Sequence, residues 1–362
     1  MTAMRISLSE EVDRGVAGTV RAFVTGGVAV AWLTATSAVS AHGPAPDTPP
    51  TITSLLLGWT FPPIPTLGIA GGVGAWWWAV RRVRRRHPDH PVPRLRSVAF
   101  GLGMLAVAFA LLSGIEAYDT TLFSVHMVQH ILLALVAAPL IALSAPITLL
   151  LRVATPAVRR RWILPVLHSR AMRVVAFPVV AWLLFAGVMW ASHFSPLFDA
   201  ALEDPIIHDL EHALFLGSAL LFWWPAVAQD PGPWRMPHPV RAMYVLLQMP
   251  QNTFLAVAIL GATAPLYEHY ATLARDWGPP PLEDQQTAAG IMWLAGDGIF
   301  LAAIIAILYG WMRHETRDQG RADRRAGVEL AGIREREARL AERLAREAAE
   351  AARDQPGSGA AR

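Results

Sequence analysis

Two pairs of histidines stand four residues apart in this chain, His126 with His130 and His208 with His212. In a helix that spacing puts both imidazoles of a pair on one face. Imidazole binds copper, zinc and haem iron. One helix offering two imidazoles needs a partner to close a site, and the second pair can supply it. Met127 and Met292 bring thioethers, which favour cuprous copper, and with His193 and His269 they form a reserve of further ligands. Glu116, Asp209, Glu211 and Glu268 are carboxylates able to orient an imidazole N–H or attract a cation. Asp297 lies in an apolar run between Gly296 and Gly298. It reads as an acid holding two helices together or as a relay, because a charge facing lipid is costly.

The same residues leave three readings open. A copper ion can sit between the pairs, which makes copper the expected metal. Haem can be ligated by histidines facing each other across a bundle. A polar network that fixes the helices and never meets a metal is the third. Other chemistry is excluded more firmly. The sequence has no cysteine, so thiolate metal sites, iron–sulfur clusters and disulfides drop out. It has no HExxH, no P-loop and no dinucleotide fingerprint. No base and orienter stand at diagnostic spacing beside Ser113 or Ser124, so no catalytic residues are assigned and an enzyme is not expected.

The elements that must position these histidines are membrane helices. Of the 362 residues, 54% are hydrophobic and only 16% charged, against about 25% charged in a soluble domain. Apolar runs long enough to span a bilayer separate clusters of charge, and the runs lack the alternation of barrel strands. The fold class is therefore all-α, a polytopic integral membrane helical bundle. Three regions follow: 1–50, a hydrophobic segment that is a signal or an extra helix, with a linker; 51–311, seven transmembrane helices; and 312–362, a charged, partly helical tail. The run 122–151 carries the first histidine pair and contains Pro139 and Pro146, which kink it or end it early.

The net charge of +3 is not a nucleic-acid signal. Residues 81–96 hold seven arginines against one acid, and residues 152–173 hold six arginines and no acid. By the positive-inside rule both loops are cytoplasmic, as is the C-terminal tail. Counting spans from that frame puts His126, His130, His193, His208, His212 and His269 near the extracytoplasmic face.

At HMVQHILLALVAAPLIALSAP the chain resembles the CtaG proteins of the cytochrome caa3 oxidase type, polytopic assembly factors of Bacillus and actinobacteria. Four features carry the likeness. They are His126-x-x-x-His130 with Pro139 and Ala145-Pro146; His208-x-x-x-His212 followed by Leu216-Gly217 and Phe222-Trp223-x-Pro225; Leu266-Tyr267-x-x-Tyr270; and Asp284-Gln285-Gln286 leading to Gly290-x-Met292-Trp293. The likeness covers roughly residues 55–310. It implies a non-enzymatic role in assembling cytochrome c oxidase in the bacterial plasma membrane. The oxidase subunits, other copper chaperones and the lipid bilayer are the partners it implies. A single-span copper chaperone of the same name relies on cysteines, so its mechanism does not transfer. The histidine-rich outer face makes delivery of copper, or maturation of the copper centre, the expected task. A haem-binding redox or transport protein and a scaffold without metal are the alternatives.

Overall fold

The computed structural model describes residues 46–353, so the apolar segment 22–40 and the end of the tail lie outside the described residues. Every regular element among the described residues is a helix, and the chain divides into two units, one ending at Ile305 and the other beginning at Ala306.

The first unit is a helical bundle. Its elements are α1 (Ile52–Leu57), α2 (Pro63–Arg86), α3 (Arg94–Leu112), α4 (Gly114–Tyr118), α5 (Phe123–Ile131), α6 (Ala138–Ser144) and α7 (Pro146–Val153). After short helical turns come α8 (Pro178–His193), α9 (Leu197–Glu203), α10 (Pro205–Val227), α11 (His238–Leu246), α12 (Gln248–Leu260) and α13 (Glu268–Thr272). The last helix, α14 (Pro281–Arg353), begins in the bundle and continues into the second unit.

Helix starts follow the local chemistry. Proline occupies the first turn of α2, α7, α8 and α10, where its missing N–H costs nothing and its φ is already helical. Asp204 caps α10 by accepting from the N–H groups of Ile206 and Ile207. The run from Phe123 to Val153 is one candidate span broken twice. Between α5 and α6 the chain forms a π turn, Leu132–Ala137, in which the Ala138 N–H reaches back to the Leu133 carbonyl. Pro139 follows at once and lacks the N–H that a regular α-helical ladder would need there. Trp223 on α10 donates its indole N–H to Ala134 O in this widened turn at 3.0 Å. The second break is Ala145, held at φ 58° ahead of Pro146, because the α-helical conformation is disfavoured before proline.

Among the described residues, five helices are long and apolar enough to cross a membrane, and a sixth crossing appears if α8 and α9, bent by 69°, count as one. This supports a polytopic membrane bundle. Helix α2 falls outside that set; its glycines and tryptophans dilute its hydropathy. It packs on α3 through Trp76 stacked on Phe100, with ring centroids 4.2 Å apart.

The bundle turns large apolar side chains outward, as lipid demands, and keeps its polar groups buried among apolar ones. On α10, Ile206, Leu210 and Leu214 point outward while His208, Glu211, His212 and Phe215 are buried. Leu183, Leu184, Phe254, Leu294 and Leu301 are exposed in the same way. Lipid is as apolar as leucine, so packing and interhelical hydrogen bonds hold such helices together. Gly103 shows the packing: a Cβ there would lie 2.8 Å from Ile141 Cγ1 on α6.

In the second unit the described residues form one exposed, charged helix. Arg339 pairs with Glu335 and Arg343 with Glu347 at i,i+4 spacing. Its apolar residues Val328, Leu330, Ile333, Leu340 and Leu344 are all exposed.

Candidate metal centre

The first histidine pair is set by α5 and the second by α10, and the two helices bring all four rings together. His126 and His130 stand with ring centroids 4.2 Å apart, and His208 and His212 with centroids 4.1 Å apart. Across the helices, His126 to His208 is 5.6 Å and His130 to His212 is 6.0 Å. His193, at the end of α8, adds a fifth ring 6.5 Å from His130. All five are buried.

Two carboxylates complete the cluster, and they do so crosswise. Glu211 on α10 lies 3.8 Å from His126 Nε2 and 4.0 Å from His130 Nε2, on α5. Asp119, in the turn leading into α5, lies 3.4 Å from His208 Nε2 on α10. Each histidine pair is thus closed by an acid from the opposite element. The two sets His126/His130/Glu211 and Asp119/His208/His212 each place three ligand atoms within 4.8 Å of one another.

Hydrogen bonds fix how the rings are presented. Gln129 uses its amide N–H groups on Glu116 Oε2 (2.6 Å) and Ala110 O (2.9 Å), so its oxygen accepts from His212 Nε2 at 3.0 Å. With Nε2 protonated, the lone pair of His212 sits on Nδ1. His193 donates its Nδ1–H to Met189 O at 2.6 Å, which leaves the lone pair on Nε2. A backbone carbonyl or carboxamide behind an imidazole is the usual support of a metal-binding histidine. In contrast, neither ring nitrogen of His130 and neither oxygen of Glu211 makes a hydrogen bond among the described residues. Such groups are expensive to bury unless something binds them. No arginine is buried among the described residues, and the chain has no lysine, so no cationic side chain balances these acids. Burial pushes the Asp119 carboxyl well above the usual carboxylate range.

The site is roofed by the chain segment around α13. Tyr270 donates to Asp119 O at 2.5 Å, and His269 Nε2 donates to Thr120 O at 2.8 Å. Asp284, at the start of α14, caps α5 from a distance: it accepts from Phe123 N at 2.7 Å and from Ser124 Oγ at 2.5 Å.

The other residues singled out in the sequence fall elsewhere. Met127 and Met292 are buried together in an apolar cluster with Phe123, Phe198, Tyr267 and Tyr270. His269 serves the roof, as above. Asp209 is half-buried and belongs to neither three-ligand set. Glu116 holds Gln129 and through it His212. Asp297 accepts from Asn252 Nδ2 at 3.1 Å and Thr253 Oγ1 at 2.8 Å, tying α14 to α12. Gly296 makes room for this, since a Cβ there would lie 2.7 Å from Asn252 Nδ2.

Asp119 carried no sequence signal beyond its place in a short turn. His193 looked isolated, because nothing in its own helix pairs with it.

A family model described as the cytochrome c oxidase caa3 assembly factor matches residues 74–314, two thirds of the chain and the whole of the histidine cluster. Among curated proteins, one from Mycobacterium tuberculosis and one from Mycobacterium bovis, both described as uncharacterized, are each 32% identical over 292 residues. That is 78% of this chain and 44% of theirs. A Mycobacterium leprae protein is 31% identical over 286 residues, 77% of this chain and 43% of its own. The chain therefore spans less than half the length of these relatives. No solved structure matches.

Proposed function

Because the chain belongs to the cytochrome c oxidase caa3 assembly-factor family, a family of non-catalytic factors, we propose that it supports oxidase maturation by holding copper as cargo in the buried histidine–carboxylate cluster. The observation that carries this is the convergence of four buried imidazoles on two carboxylates, with His193 as a fifth ring beside His130 and no arginine among them. A bound cation supplies the missing charge and takes a ring nitrogen of His130 as ligand. The ligands are His126, His130, His208 and His212, with His193 alongside. The haem reading is less well supported. Rings 4.1 to 6.5 Å apart leave no gap for a macrocycle between them.

We place the cluster at the extracytoplasmic side, with α2 as a further crossing. The arginine loops lie at the other end of the same helices: α2 ends in Arg84–Arg86, and Arg86 donates to Val153 O, the end of α7. The positive-inside rule puts that end in the cytoplasm. On this reading the oxidase subunits and other copper carriers meet the chain at the histidine end.

The experiment is complementation of a deletion strain with the wild-type gene, His126→Ala and His130→Ala. We expect both variants to accumulate normally but to lose bound copper and oxidase activity. Wild-type copper content together with wild-type oxidase activity in both would overturn the proposal. A polar network without metal predicts instead that His130→Gln keeps function.

A further inference from the structure

We infer that the cluster is a two-ion centre, with one metal bound by His126, His130 and Glu211 and a second, adjacent one bound by Asp119, His208 and His212. The inference rests on the metal reading above and goes beyond it in number and in chemistry. Four histidines around one ion would pool their nitrogens at one point. The structure divides them two and two, and gives each pair its own carboxylate at 3.4 to 4.0 Å. The division is built crosswise, so each set draws ligands from both helical elements and is closed only when α5 and α10 pack. All six ligand residues are buried.

The donor set defines the class of ion. Imidazole with carboxylate suits borderline divalent ions, cupric copper or zinc, whereas the thioethers that would favour cuprous copper are packed away in the apolar cluster. Adjacent sites sharing a wall of rings 5.6 and 6.0 Å apart give a cargo ion a neighbouring set of ligands to step to.

The test is a titration of the purified full-length chain in detergent with cupric ion, read by electron paramagnetic resonance and metal analysis. Two buried equivalents with a half-field signal from coupled copper ions are expected for the wild type. Glu211→Gln and Asp119→Asn, which keep side-chain volume, should each retain one equivalent with an isolated spectrum and no half-field signal. A wild type that saturates at one isolated equivalent overturns the two-ion centre and leaves the single-copper reading standing. A wild type with no tightly held copper overturns both. Loss of all copper in both variants, with their melting temperatures unchanged, also overturns it, because a single mixed site would behave that way. The wild-type titration decides the matter even if a variant fails to fold.

Discussion

Glu211 and Asp297 are both carboxylates on long apolar helices, and the bundle treats them in opposite ways. Asp297 receives two hydrogen bonds, from Asn252 and Thr253, and a glycine beside it admits the donor helix. Glu211 is only 2% exposed and receives no hydrogen bond among the described residues; its neighbours are imidazoles near 4 Å. The first acid is a finished interaction between helices. On the proposed reading, the second is half of an interaction that a bound cation completes. A buried polar group is therefore informative about function mainly through what it still lacks.

The comparison breaks most easily at Glu211. Glu211→Gln removes the charge that a cation would balance and leaves the volume intact. We expect the affinity for the copper held by His126 and His130 to fall by more than about 100-fold, beyond the range seen for outer supports. The melting temperature should hold or rise, since an uncompensated buried charge has been removed. If copper affinity stays within a few-fold of wild type, Glu211 is not part of the metal site.

Gln129 sharpens the same contrast, because it is fully bonded yet serves the site. It links Glu116 to His212 and sets which nitrogen of that ring is presented. Gln129→Leu should weaken copper binding by about 10- to 100-fold while leaving some binding in place. Affinity measured with a competing chelator checks this. An unchanged affinity would mean that the His212 tautomer does not matter.

At the other pole, Asp297→Ala strands the donors of Asn252 and Thr253. The expected cost is about 1–3 kcal/mol of stability, seen as a lower melting temperature in detergent with copper affinity unchanged. Lost copper binding with an unchanged melt would show that Asp297 acts as a relay.

Which of these features could be read from the sequence depends on whether they lie within one helix. The i,i+4 pairs were legible because 3.6 residues per turn puts both members on one face. The same geometry explains Met127: adjacent to His126 in sequence, it points about 100° around the helix, into the apolar cluster. The choice of Glu211 over Asp209 is a matter of which face of α10 meets α5, and that is tertiary. So is the crosswise pairing with Asp119 and the approach of His193 from α8. The spans were legible by hydropathy where Leu, Ile and Val dominate, as in 122–151, and less so in α2, where Gly and Trp do. The π turn had a trace in Pro139, whose missing N–H disturbs the ladder, but the sequence does not say whether such a disturbance becomes a kink, an end or a wider turn.

The smallest expected effect belongs to a third carboxylate, Asp284, which stands between the two extremes. It is buried and, like the partly buried Asp297, fully used, yet what it holds is the first turn of the histidine helix. Helix α5 has no cap of its own, because Leu122 precedes it and offers no side-chain acceptor. Asp284 replaces the missing cap from the far end of the chain, and its charge complements the helix N-terminus. Asp284→Asn keeps one acceptor oxygen and loses the charge, so the cost should be about 1 kcal/mol, within the range for helix caps. Because Phe123 is three residues from His126, a loosened first turn should also speed copper release slightly, by a few-fold, without changing how much copper is bound at saturation. Stopped-flow transfer to a chelator reads the rate, and metal analysis reads the amount. A drop in bound copper as large as that of Glu211→Gln would show that α5 is held by this one cap rather than by its packing against α10.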